Sequence, residues 1–116
     1  MTHLSEKRCR MVSQDETGMS GDDLTHYIAQ LNSSWQVLGA NYLSRVFNFP
    51  THDDAVDFVE EISEISMDEG HFPDTILSYG EVKIVINTSE VDGVHENDFI
   101  LAAKIERRSN KLFKSE

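Results

Sequence analysis

Five histidines, His3, His26, His52, His71 and His95, and one cysteine, Cys9, are the residues of this 116-residue chain best suited to proton transfer or nucleophilic attack. Imidazole titrates near neutral pH, so one positioned histidine can both give and take a proton. The five are scattered along the chain, and none forms the one-turn helical pair that binds a metal. His71 alone stands at a helix-to-strand junction beside a proline, Pro73, in a loop held between rigid elements. By spacing alone it reads as a surface histidine sooner than as a catalyst. Cys9 lies in a polar stretch with no base beside it, which fits an exposed thiol in a reducing compartment better than a nucleophile. No P-loop, dinucleotide-type glycine run, nucleophile elbow or paired-cysteine zinc motif is present.

The elements that position His71 are readable from periodicity. Ser20 can cap a first helix whose apolar residues Leu24, Tyr27, Ile28 and Leu31 share one face, and Asn32-Ser33-Ser34 ends it. Trp35–Leu38 and Tyr42–Phe49 read as a hairpin around Gly39-Ala40-Asn41, with Arg45 on the face of Leu43 and Phe47. Pro50 ends the second strand. Thr51 with Asp54 then caps a helix with a stripe of Ala55, Phe58, Val59, Ile62 and Ile65, and Gly70 stops it. Its other face is acidic (Asp53, Asp57, Glu60, Glu61, Glu64, Asp68) and reads as a solvated surface sooner than a cation or partner site. Beyond the His71 loop, Thr75–Tyr79 and the alternating Val82, Ile84 and Ile86 form a second hairpin turning at Gly80. A polar segment with a turn at Asp92-Gly93 precedes a last helix, Glu96–Arg108, burying Phe99, Ile100, Leu101, Ala103 and Ile105. The order αββαββα predicts an α+β domain of two layers, a four-stranded antiparallel sheet with helices on one face. Residues 1–19 read as a flexible leader, 20–108 as the domain and 109–116 as a basic tail.

The length suits one domain with its own core, and 39% hydrophobic residues place it among globular chains. No apolar run approaches the roughly 20 residues of a membrane span, and residues 1–14 lack the apolar stretch of a signal peptide, so a cytoplasmic location is expected. Residues 11–103 hold 18 of the 21 acids and only two bases, Arg45 and Lys83. So acidic a body repels a phosphate backbone, which argues against nucleic acid as a partner. The bases gathered at the C-terminal end read as complements to a helix dipole.

The string Gly70-His71-Phe72-Pro73, followed by Tyr79, Thr88-Ser89-Glu90, Gly93 and Asp98, resembles the signature of the pterin-4a-carbinolamine dehydratases. Trp35, Phe47-Asn48-Phe49 and Ala55 with Phe58 are similar to that family too, so the resemblance spans about residues 20–108. It implies dehydration of a 4a-hydroxytetrahydropterin to a quinonoid dihydropterin in tetrahydrobiopterin recycling, by general acid–base catalysis with no cofactor and no metal. His71 would be the catalytic acid/base, Phe72, Pro73, Ser89 and Glu90 would bound the substrate, and Tyr79 and Asp98 would be structural residues near the site. Asp98 would brace the final helix, or serve simply as a helix N-terminal acid. His95 would lie near the mouth. The family also implies a homodimer or homotetramer joined through a sheet edge and the last helix.

Four positions depart from that signature. Phe72 replaces the second histidine, Ser89 the later one, Met67 an acidic or polar residue, and His95 the hydroxyl residue that caps the last helix. Phenylalanine moves no proton, and serine is a poor acid or base at neutral pH. One lost acid or base commonly costs about 10²–10⁴-fold. The expectation is therefore a weakened dehydratase, and the alternative is a non-catalytic pterin-binding or dimerisation module of the same fold.

Overall fold

The computed structural model describes residues 3–39 and 41–112. Their regular elements are a 3₁₀ turn (Leu4–Glu6), α1 (Gly21–Ile28), β1 (Gln36–Leu38), β2 (Tyr42–Asn48), α2 (His52–Glu69), β3 (Asp74–Ser78), β4 (Glu81–Ile86), a second 3₁₀ turn (Ser89–Val91) and α3 (Glu96–Leu112). The four strands form one antiparallel sheet in the order β1-β2-β4-β3. This is the expected α+β architecture.

Register decides which residues reach the core. Leu43 faces Ile86 and Phe47 faces Val82 across β2 and β4, and all four are buried against the helices. The other sheet face leaves Tyr42, Val46 and Ile76 exposed. Alternate side chains of a strand point to opposite faces, so a one-residue slip would invert this pattern. Phe58 of α2 packs between Phe47 and Phe49, with ring centroids 4.8 and 5.2 Å away. Arg45 keeps its place on the covered face. Its guanidinium lies over the Phe47 ring and pairs with Glu106, which also accepts the Trp35 indole N–H at 2.9 Å. Burial lowers the pKa of Arg45.

α2 begins and ends by local chemistry. The Thr51 hydroxyl accepts the Asp54 N–H at 3.1 Å. Gly70, with φ 69°, takes the left-handed turn that stops the helix and sends the chain into the His71 loop. Thr51→Ala is expected to lower stability by about 1 kcal/mol, read as a shift in the urea midpoint with an unchanged slope.

Both ends of α1 differ from the expectation. α1 is shorter than its apolar spacing suggested: it ends at Ile28, and Leu31 falls in the turn beyond. Ser20 precedes it without a side-chain capping bond. Residues 3–19, read as a flexible leader, lie against the body. Leu4 enters the core, Lys7 pairs with Glu96 at 2.8 Å, and Met19 donates its N–H to the Val94 carbonyl. The basic tail is continuous with α3 as far as Leu112, and residues 113–116 lie outside the described residues, as does Ala40 of the first hairpin turn.

Candidate functional site

Asp98, in the first turn of α3, is the centre of the site. It has no exposed surface, so each carboxylate oxygen needs partners from the protein. Oδ1 meets His71 Nε2 at 2.5 Å, Oδ2 accepts the His95 N–H at 2.8 Å, and the Thr88 hydroxyl lies 2.9 Å from both oxygens. Thr88 is itself fixed by a bridge to Gly93, whose carbonyl accepts its N–H at 2.8 Å. Four chain segments thus converge: the loop after α2, the segment after β4, the residue before α3 and α3 itself. The carboxylate occupies His71 Nε2, so Nδ1 is the ring nitrogen left for chemistry, and the tautomer is set by the Asp98 contact.

His95 does the work of a helix cap. Its Nδ1 accepts the Asn97 N–H at 3.0 Å, while Asp98 accepts the His95 N–H. That is the reciprocal pattern of a capping box, with imidazole in place of a hydroxyl. An accepting Nδ1 puts the proton on Nε2, which donates to Glu16 at 2.9 Å. The Arg10 guanidinium pairs with the same carboxylate at 2.8 Å. Arg10, the Ser13 N–H and His95, in that order, hold Glu16 below the usual carboxylate pKa. His95 is buried.

A cavity of about 430 Å³ opens beside His71. It is lined by His71, Thr88, Glu90 and Asn97 of the body and by Cys9, Arg10, Met11 and Val12 of the N-terminal arm. Glu69 lines it too, and its buried carboxylate accepts the Cys9 N–H at 2.8 Å and pairs with Arg8 and Lys104. Cys9 is half-buried rather than exposed, and burial, with the Glu69 charge adding, pushes its thiol up to about 12. Among the described residues, no three His, Cys, Asp or Glu side chains are grouped to hold a metal ion.

The other expected site residues are less central. Glu90 lines the cavity, while the neighbouring Ser89 is exposed and donates to Glu90 at 3.3 Å. Phe72 is 64% exposed, and neither it nor the half-buried Pro73 lines the cavity. Tyr79 is not near the site. It lies in the β3–β4 turn, 86% exposed, and its ring stacks on His52 at the start of α2. The 18 residues of α2 separate that position from His71, roughly 27 Å at 1.5 Å per residue.

Residues 17–108 match the family model described as pterin 4 alpha carbinolamine dehydratase. The chain belongs to that family. A protein of Alkaliphilus metalliredigens named for this dehydratase activity is 36% identical over 111 residues, covering 96% of this chain and all of the relative. One of Halorhodospira halophila with the same name is 43% identical, over 89% of this chain and 94% of its own. The fold of a transcriptional coactivator/pterin dehydratase from Brucella melitensis superposes with a TM-score of 0.72 at 22% identity, covering 77% of this chain and 95% of that one. A pterin dehydratase-like protein identified as a RuBisCO assembly factor in the alpha-carboxysome gives a TM-score of 0.57 at 19% identity, covering 66% and 89%.

The expected site residues divide into those that meet at Asp98 and those that lie on the surface. His71, Thr88, Gly93 and Asp98 are in contact directly or through one another. Phe72, Ser89 and Met67 are exposed. Asn97 and the arm residues were not singled out as site builders from the sequence. They act through side-chain-to-backbone bonds, which leave no periodic or motif signal.

Proposed function

We propose that this chain is a dehydratase of 4a-hydroxytetrahydropterin in which His71, held by Asp98, is the single acid/base. The observation that carries this reading is the contact of a cavity-lining imidazole with a fully buried carboxylate. The reaction removes a proton from a ring nitrogen and a hydroxyl from the neighbouring carbon, as water. One imidazole serves both steps in turn: Nδ1 takes the ring proton, then gives it to the departing hydroxyl. Protons balance, and no redox partner enters. Thr88 holds the carboxylate, and Glu90 offers an acceptor for the amino and N–H groups of the pterin ring.

The test is a stopped-flow dehydration assay with a parallel pterin titration. The protein is expected to bind a pterin and to accelerate dehydration over the uncatalysed rate. Binding without acceleration would move the chain to the second reading, a binding or interaction module. The replaced histidines favour that reading, and the carboxysomal assembly factor offers an analogy of fold. Neither binding nor acceleration would end the dehydratase reading and leave an interaction module.

The double variant Phe72→His, Ser89→His is expected to raise the dehydration rate by about 10²-fold, the lower end of what one positioned acid or base contributes. Both side chains are exposed, so imidazoles enter without repacking the core. Both positions adjoin cavity-lining residues. An unchanged rate would show that proton transfer at these positions no longer limits the reaction.

A cytoplasmic location and a homodimer or homotetramer belong to the same reading. β1 and β3 are sheet edges, and β3 exposes Ile76 and Leu77, which supports pairing between copies. No helix among the described residues is long and apolar enough to cross a membrane.

A further inference from the structure

We propose that Asn97 is a positioning residue that holds the N-terminal arm in place as one wall of the ligand cleft, an inference that rests on the dehydratase reading. The amide of Asn97 is buried and makes two bonds to one backbone residue of the arm. Its Oδ1 accepts the Arg10 N–H at 3.0 Å, and its Nδ2 donates to the Arg10 carbonyl at 2.7 Å. A side chain thereby satisfies the donor and acceptor that a neighbouring strand would otherwise satisfy. The arm belongs to no sheet, and its regular structure is one 3₁₀ turn. Its position at the cleft therefore depends on such contacts. Two others flank the clamp: the Cys9 N–H on Glu69, and the Cys9 thiol facing the Asn97 carbonyl at 3.5 Å.

The consequence is geometric. Asn97 and Asp98 are adjacent on α3, so one helical turn fixes both sides of the cavity. Asp98 fixes the His71 side, and Asn97 fixes the Cys9–Val12 side. At about 430 Å³ the cavity suits a small bicyclic ligand, and the arm supplies four of its lining residues, Cys9 to Val12. Asn97 thus controls how tightly the pterin is held, while His71 and Asp98 control how fast it reacts.

Cys9, the sole cysteine, reports on the arm directly. Its half-buried thiol with a raised pKa reacts slowly while the arm is seated. Asn97→Ala removes two hydrogen bonds, worth roughly tenfold or more in the opening equilibrium. It is expected to speed maleimide labelling of Cys9 about tenfold and to weaken dihydrobiopterin binding by a similar factor, with KM rising more than kcat falls. Arg10→Pro deletes the same N–H without touching the buried amide, and Arg10→Ala controls for loss of the guanidinium. Proline is expected to speed labelling well beyond alanine, which keeps the test open if Asn97→Ala folds poorly. Faster labelling with unchanged dihydrobiopterin affinity would overturn the wall assignment and leave the dehydratase reading intact. Unchanged labelling in both Asn97→Ala and Arg10→Pro would overturn the clamp. Failure of the unaltered protein to bind dihydrobiopterin would strike the functional reading itself, and the wall with it.

Discussion

Asp98→Asn should leave the fold standing and lower the dehydration rate by about 10²–10⁴-fold. The carboxylate accepts from Thr88 and from the His95 N–H, and meets His71 through Oδ1. An amide offers one oxygen and one NH₂ group. If the oxygen keeps the His95 N–H and the Thr88 hydroxyl, the NH₂ faces His71 Nε2 and donates to it. The proton of neutral His71 then sits on Nδ1, the nitrogen that has to accept the ring proton. The site keeps its shape in the wrong tautomer. Stability should fall by only about 1–3 kcal/mol, because most partners remain satisfied. Asp98→Ala is the contrast. It strands the Thr88 hydroxyl and the His95 N–H in the interior and should cost about 3–5 kcal/mol. Urea unfolding of both variants, set beside their rates, separates orientation from scaffold. Equal losses of stability would mean that Asp98 serves the fold alone.

His71→Ala should remove nearly all enzymatic acceleration, a loss of about 10²–10⁴-fold, because no second imidazole among the described residues lines the cavity. Phe72 cannot titrate. Ser89 is exposed and turned to Glu90, and His95 is bound between Glu16 and the Asn97 N–H. Pterin affinity should change far less than rate, since the ring is bounded by other residues of the cavity. A large loss of affinity with little loss of rate constant would assign His71 to binding instead.

The fold was legible where its causes are local. Thr51 and Asp54, the stripe from Ala55 to Ile65 and Gly70 specify α2 within a short stretch of chain. The alternation Val82, Ile84, Ile86 specifies the covered face of β4. His71 and Asp98 were legible as members of a motif, but their contact was not, because 27 residues separate them. Tyr79 shows the opposite failure. It is close to His71 in sequence, yet the extended strand β3 carries it away at about 3.3 Å per residue. The arm was unreadable for a physical reason. Asn97, Glu69 and Glu96 seat it by side-chain bonds at scattered positions, and such bonds impose no period on residues 3–19. His95 looked like a missing cap because caps are sought among hydroxyl and carboxamide side chains, whereas an imidazole Nδ1 accepts the same N–H.

Chemical rescue asks the central question most directly: does the imidazole of residue 71 move the proton? The dehydration rate of His71→Ala is measured with increasing free imidazole. The rate should sit near the uncatalysed value at first and climb with imidazole concentration. A variant that dehydrates the carbinolamine as fast as the unaltered protein, with no imidazole added, would contradict the assignment.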